Sequence, residues 1–260
     1  MKAFLITCLL VFLTQNNFAQ GDVIEISQVK IEADIFIGVD SFGAIYYIKN
    51  NVFFKEQGTQ KWQYSNFLLG QLTQVNIVNP LKVLLFYELA NTAIQIDKFL
   101  NEMQRIAFNE LPELKLITQT ATANDRNLWL FDSNTLQLEV FNYKTSKTLF
   151  KSQPLEQLPV AMHGDFNHCW VFTKKKGYEF NSYGSILSTI ENKGYSAVQL
   201  TSNGILLQKT NDLYHFNLEN KLIKINLPEI TLKQFYGINE ILYIYDGKTL
   251  YNYQINIPKN

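Results

Sequence analysis

His163-Gly-Asp165-Phe-Asn-His168 is the one stretch where the sequence gathers two imidazoles and a carboxylate. Folded together, such a set could ligate zinc, and a catalytic centre would also need an open coordination position. The Gly, Asp and Asn of the same stretch are ordinary turn formers between two strand patterns, so a plain hairpin connection is expected, with no metal and no catalytic residue. Cys169 follows directly but opens the apolar run Cys169-Trp-Val-Phe172, where a small thiol packs as a hydrophobe. Neighbours on a strand point to opposite faces, which separates that thiol from His168. His215, between Tyr214 and Phe216, reads as a partly buried structural residue. There is no G-x-S-x-G elbow and no G-x-x-x-x-G-K-[ST] phosphate loop. No cofactor is expected.

The elements that would position these residues are strands. Runs rich in aromatic and β-branched residues begin at Ile35, Val83, Leu128, Cys169, Ile205 and Ile241, a repeat of roughly 40 residues, which is the length of a four-stranded propeller blade. After each run comes a turn and a further strand, as in Asn127 to Phe150, where Leu136, Leu138 and Val140 alternate with Gln137, Glu139 and Phe141. An outer strand recurs as Val52 to Lys55, Met103 to Phe108, Thr148 to Lys151, Ser185 to Ile190 and Leu222 to Leu227. Asp97 to Asn109 fits a helix as well as an edge strand. The sixth unit lacks an outer strand, and Val23 to Ile26 is expected to fill that place beside Thr249 to Gln254. The fold expected is all-β, a six-bladed β-propeller closed by pairing of the N- and C-terminal strands, with the strong strands second in each blade.

The remaining strand of each unit would line the axis. Gln28, Gln74, Gln119, Gln199 and Gln234 each precede a strong strand by a similar distance, with Met162 at the matching place in the fourth unit. Each glutamine offers two donors and two acceptor sites, enough to satisfy backbone groups between neighbouring blades or to contact a ligand in the channel. The candidate inner strands Thr73 to Val78, Ile117 to Thr122, Val160 to His163, Ala197 to Thr201 and Leu232 to Tyr236 contain no Asp or Glu. A propeller glycosidase would need paired carboxylates across the channel, so that class is disfavoured, although Glu113 and Asp125 in connecting loops could converge. Trp129 and Trp170 hold matched places in consecutive units and read as packing between sheets.

Residues 1–20 have the layout of a secretory signal peptide, with Lys2 before the apolar run Ala3 to Leu13 and the small residue Ala19 before the expected cleavage point. Residues 21–260 then form a single propeller domain, exported to the periplasm or the outer membrane. Once Cys8 is removed with that segment, Cys169 has no partner for an intramolecular disulfide. The chain balances 23 Lys and Arg against 23 Asp and Glu, and its one basic block, Lys174-Lys175-Lys176, falls at an expected hairpin tip. A nucleic-acid partner needs a strongly basic face and is not expected.

Asp40-Ser-Phe-Gly-Ala-Ile-Tyr-Tyr, Asn79-Pro-Leu-Lys-Val-Leu-Leu-Phe-Tyr and Phe180-Asn-Ser-Tyr-Gly give the chain its likeness to a known group. Over Asp22 to Ile257 it resembles six-bladed propellers of the broad NHL and WD-like kind, especially exported propellers of bacteroidete bacteria. It carries neither the WD dipeptide nor the kelch double glycine. The resemblance implies a non-catalytic envelope module with a protein partner, in an outer-membrane secretion or assembly complex, and peripheral rather than integral membrane association. An envelope enzyme or a binder of carbohydrate or peptide at the channel mouth is the alternative, since propellers host all of these.

Overall fold

The computed structural model describes residues 20–124 and 126–256, so the expected signal peptide and Asp125 lie outside the described residues, apart from Gln20. The first strand, β1 (Gln20–Lys30), is followed by β2 (Ile35–Val39), β3 (Ile45–Lys49), β4 (Val52–Gln57) and β5 (Gln60–Tyr64), of which the last four form one sheet in that order. A second sheet comprises β6 (Gln74–Asn76), β7 (Val83–Tyr87), β8 (Thr92–Ile96) and β9 (Glu102–Ala107). The third comprises β10 (Ile117–Thr122), β11 (Asn127–Asp132), β12 (Gln137–Asn142) and β13 (Lys147–Lys151). In the fourth are β14 (Ala161–Gly164), β15 (His168–Phe172), β16 (Lys176–Asn181) and β17 (Ile186–Glu191). The chain ends with β18 (Ala197–Thr201), β19 (Gly204–Lys209), β20 (Asp212–Asn217), β21 (Leu222–Asn226), β22 (Gln234–Ile238), β23 (Ile241–Tyr245) and β24 (Thr249–Asn256).

Those last seven strands do not form two separate blades. Together with β1 they make one eight-stranded sheet in the order β18-β19-β20-β21-β1-β24-β23-β22. The expectation of six blades is thereby corrected: the propeller has four blades of four strands, and an eight-stranded sheet completes it. The cause is the length of β1. It runs antiparallel to β24 from Asp22 opposite Asn256 to Lys30 opposite Thr249, while Gln20, Gly21 and Asp22 also pair in parallel with Lys224, Ile225 and Asn226 of β21. Strand β1 thus has a neighbour on each side, and the two strands it joins present no open edge there.

The strong apolar runs lie second in three of the four blades because that place is covered on both sides. Val83, Leu85 and Tyr87 pack toward the first blade, whereas Leu84 and Phe86 join Leu128 and Leu130 of the third. Trp129 and Phe131 then meet Cys169 and Val171, and Trp170 and Phe172 meet Ile205 and Leu207. Alternate residues of one strand therefore serve different interblade cores, which is why these strands read as continuous apolar runs.

The first blade departs from the expected assignment. Ile35–Val39 is its innermost strand, Ile45–Lys49 its second, and Gln60–Tyr64 the outer strand that the repeat pattern did not include. Close approach to the axis explains the small residue within this apolar run: a Cβ at Gly38 would stand 2.5 Å from Tyr236 and 2.8 Å from Ile77. In the ambiguous stretch Asp97 to Asn109, Glu102–Ala107 is a strand, and a short 3-10 turn follows at Phe108–Glu110.

The antiparallel meander sorts its connections onto two faces. First-to-second and third-to-fourth hairpins share one end of the strands, here termed the hairpin face. Second-to-third hairpins and the crossovers between units share the other, the crossover face. On the hairpin face Asp97, Asn142, Asn181 and Asn217 each accept two backbone N–H groups through Oδ1, closing the third-to-fourth turns. On the crossover face Asn51, Asn91 and Asn211 act as clamps. Their Nδ2 groups donate to the Gly70, Lys115 and Ile230 carbonyls at 2.9, 2.6 and 2.8 Å, while their Oδ1 atoms accept from Leu72, Ile117 and Leu232 N–H. Among the described residues no helix is long and apolar enough to cross a membrane.

Candidate functional site

The innermost strands β2, β22, β18, β14, β10 and β6 stand side by side around the axis. Between them lies a cavity of about 210 Å³, bordered by Phe36, Asn76, Ile77, Gln199, Gln234 and Tyr236 among others. It adjoins a wider cavity of about 760 Å³ that opens on the hairpin face. Val78, His163, Gln199 and Tyr236 line both and so form the step between channel and mouth.

The mouth is off-centre. Its wall comes from the turns of the eight-stranded sheet, Ser202-Asn203, Asn217-Leu218-Glu219 and Asn239-Glu240, with Val78 and Asp165 facing them from the second and fourth blades. Leu206, Ile238, Ile241 and Ile255 supply apolar surface within it, and Leu218 stands 76% exposed at its rim. Among the described lining residues Asp165, Glu219 and Glu240 are the only charged side chains, unless a histidine takes up a proton.

Neither histidine does so readily. Burial pushes the His163 imidazole down to about 4, against a smaller opposing pull from Asp165. Its Nδ1 accepts the Leu200 N–H at 3.3 Å, so Nε2 carries the single hydrogen. His215 is also held below its ordinary range, chiefly by burial, and its Nδ1 lacks a hydrogen-bond partner. The Tyr236 hydroxyl is raised to about 12 by burial and by the nearby Asp40 charge. At neutral pH the step is therefore lined by neutral polar groups below a mouth whose Glu219 is paired with Lys221 at 2.9 Å.

The His163 to His168 stretch folds as a hairpin turn. Asp165 Oδ1 accepts the Asn167 and His168 N–H groups at 2.8 and 2.7 Å, and its carbonyl accepts from Trp129 Nε1 at 2.8 Å. No cluster of three or more His, Cys, Asp or Glu side chains arranged for a metal occurs among the described residues. The Cys169 thiol is fully buried in the core between the third and fourth blades, and that burial raises it well above its ordinary range.

The five glutamines fall in different places. Gln74 donates to the Thr118 carbonyl at 3.0 Å and accepts from Thr120 N–H at 2.9 Å, joining β6 to β10. Gln199 does the same toward Gly237, at 2.9 and 2.7 Å, joining β18 to β22. Gln234 shares the narrower cavity with Gln199, and its Oε1 is buried without a partner. Gln119 lies half-buried where the β10 and β11 register shifts. Gln28 lies on β1 opposite Tyr251 and faces solvent, far along the sheet from the inner strands.

Residues that the sequence pattern did not single out are the turns of the mouth at 202–203, 217–219 and 239–240, together with Tyr236 at the step and Asn76 in the narrower cavity. Asn239 and Glu240 both adopt positive φ, 50° and 62°, a tight two-residue hairpin whose Asn was the available signal.

No protein-family model matches the chain, and no curated protein matches it in sequence. Among solved structures, the chain is similar to the Neurospora crassa Pan2 WD40 domain, with a TM-score of 0.57 and 10% identity over 86% of this chain and 75% of that one. It is similar to BamB from Moraxella catarrhalis at a TM-score of 0.50 and 16% identity, covering 81% and 69%. A virginiamycin B lyase from Staphylococcus aureus, in a structure with quinupristin, gives a TM-score of 0.61 at 11% identity, covering 95% and 97%. These likenesses establish the all-β propeller fold.

Proposed function

We propose that the chain is a non-catalytic interaction module of the cell envelope that grips a polypeptide segment of a partner protein at the hairpin-face mouth. The observation that carries this reading is the anatomy of the mouth. Ile238, Ile241 and Ile255 form apolar surface inside a rim of Asn203, Asn217, Glu219, Asn239, Glu240 and Asn256, and the exposed Leu218 extends it outward at that rim. An apolar centre within a polar rim is how protein interfaces are built. Asp165 and Glu219, the latter already paired with Lys221 at 2.9 Å, favour a neutral or basic segment over an acidic one. BamB and the Pan2 WD40 domain, propellers of the same general fold, support an interaction role, and export with attachment to an envelope complex extends that reading.

The test is capture of the full chain from its native envelope fraction, in parallel with a Leu218→Arg, Glu219→Lys variant. A partner recovered in stoichiometric amount with the wild type and lost with the variant supports the module. A lone monomer that instead binds glycans in its channel would favour the second reading, a small-ligand binder or enzyme. That reading draws on the cavity of about 760 Å³, which is within the range of small-molecule sites, and on the neutral polar groups His163, Gln199 and Tyr236 that converge at its floor.

A further inference from the structure

The opposite face carries a second feature, independent of the mouth. Phe67, Leu68, Leu89, Leu114, Leu116, Leu158 and Val160 are all exposed, Leu68 at 98% and Leu89 at 88%. Every one of them lies on the crossover face, in the crossovers 65–73, 108–116 and 152–160 or in the hairpin tip 88–91 between β7 and β8. Hydrogen bonds link these segments in succession. Glu88 N–H donates to Thr73 Oγ1 at 3.2 Å, Asn91 Nδ2 to the Lys115 carbonyl, Ser133 N–H to the Leu116 carbonyl and Leu155 N–H to the Leu136 carbonyl. The apolar side chains therefore belong to one arc that spans the first four blades. Isolated exposed leucines are common on a protein surface, but a succession of them on linked segments of one face marks a contact surface.

Charge decides what that contact is. Glu88, Glu110, Glu113 and Glu156 lie exposed in the same segments. Their single lysine, Lys115, is buried. Glu113 and Glu156 have lysine neighbours, Lys151 at 2.9 Å and Lys175 at 3.9 Å, whereas Glu88 and Glu110 have no ion pair among the described residues. Of the exposed lysines on the crossover face, Lys151, Lys174, Lys175 and Lys176 border the fourth-blade end of the arc, whereas Lys193, Lys209, Lys233 and Lys248 stand on the other side of the ring. An anionic lipid surface would be repelled at the tips flanked by Glu88 and Glu110.

We propose that this arc is a second docking surface and that its occupant is a cationic amphipathic polypeptide segment, with apolar side chains over the leucines and lysine or arginine beside the glutamates.

The probe is a synthetic amphipathic helix of Leu and Lys, roughly 18 residues long, titrated by calorimetry into the full chain, with its Leu and Glu counterpart as control. Two variants act on the arc, Leu68→Ser with Leu89→Ser and Glu88→Lys with Glu110→Lys. All four positions are exposed, so the fold is expected to be unaffected, and circular dichroism checks this. The Leu218→Arg, Glu219→Lys variant alters only the mouth. Binding of the Leu and Lys peptide, weakened at least about tenfold by each arc variant and unchanged by the mouth variant, is the expected result. Equal binding by wild type and both arc variants overturns the proposal, as does loss with the mouth variant alone. Two other occupants are tested alongside. Vesicle sedimentation that depends on Leu68 and Leu89 while peptide binding does not would assign the arc to lipid, and dimerisation with the same dependence would assign it to a second copy. Either result overturns the peptide assignment without touching the reading of the mouth.

Discussion

Replacing Lys115 by Met should destabilise the chain by about 3 kcal/mol, because it strands a carboxylate in the core of the third blade. Lys115 is 2% exposed and Glu139 0%, with Nζ 2.7 Å from Oε2. The same oxygen accepts from Thr148 Oγ1 at 2.7 Å. The other oxygen, Oε1, has Lys151 Nζ at 3.3 Å but no hydrogen bond. In Lys115→Met, Glu139 therefore keeps one hydroxyl donor and a partly exposed lysine. Breaking a buried pair costs about 3 to 5 kcal/mol, and the remaining lysine places this case at the lower end. For a chain of this size that corresponds to a melting temperature lower by roughly 6 to 12 °C. The double variant Lys115→Met, Glu139→Leu removes both charges and should return to within about 1 kcal/mol of wild type, which gives a coupling energy of about 2 kcal/mol or more. Urea unfolding followed by tryptophan fluorescence measures this as a shift in midpoint at unchanged slope. A single variant within about 0.5 kcal/mol of wild type, or a double variant as unstable as the two single changes combined, would show that the pair is not the charge lock described.

Stability should also fall on acidification through His163. Its folded value of about 4 lies below the ordinary 6.5, so the unfolded chain takes up the proton first and the folded state loses ground as pH drops from 6.5 toward 4. The loss by pH 4.5 is about 2 kcal/mol, and His163→Gln, which keeps an acceptor for the Leu200 N–H, should flatten the slope in that window. A slope unchanged by the substitution would place the proton uptake elsewhere. Finally, a chain that starts at Gln28 lacks the part of β1 that pairs with both β21 and β24. It should melt earlier and aggregate while its circular dichroism remains that of a β protein, because most β1 side chains are exposed and the loss is of backbone pairing rather than core. Equal melting of the two chains would mean that β1 does not hold the eight-stranded sheet together.

Strands covered on both faces were legible, since a run such as Val83–Tyr87 has no side open to water and must be apolar throughout. The first blade misled for the same reason: Ile35–Val39 is an apolar run too, although it lies at the axis rather than second. A better ruler was present in the clamping asparagines. Asn51, Asn91 and Asn211 sit at the same second-to-third hairpin in their units, and alignment on them shifts the first unit by one strand and includes Gln60–Tyr64. No local pattern reveals that the last two repeats share one sheet, because that depends on three parallel pairs between residues about 200 positions apart.

The glutamine pattern shows how far a repeat can carry an argument about a site. Gln74 and Gln199 make the same pair of hydrogen bonds to the next inner strand, because each must satisfy backbone groups of an adjacent inner strand that have no ladder partner on that side. Gln28 was grouped with them only through the misplaced first unit, and on β1 it has solvent rather than an inner strand beside it. The mouth obeys a different logic. Its residues are turn formers, Ser202-Asn203, Asn217 to Glu219 and Asn239-Glu240, selected locally by hairpin geometry and alike in composition to turns that line nothing. Only closure of the ring brings those turns around one opening. Repeats therefore disclose the positions at which neighbouring inner strands must be joined, while the surface proposed to meet a partner lies where the repeats differ, here in Leu218, Glu219 and Glu240 of the eight-stranded sheet.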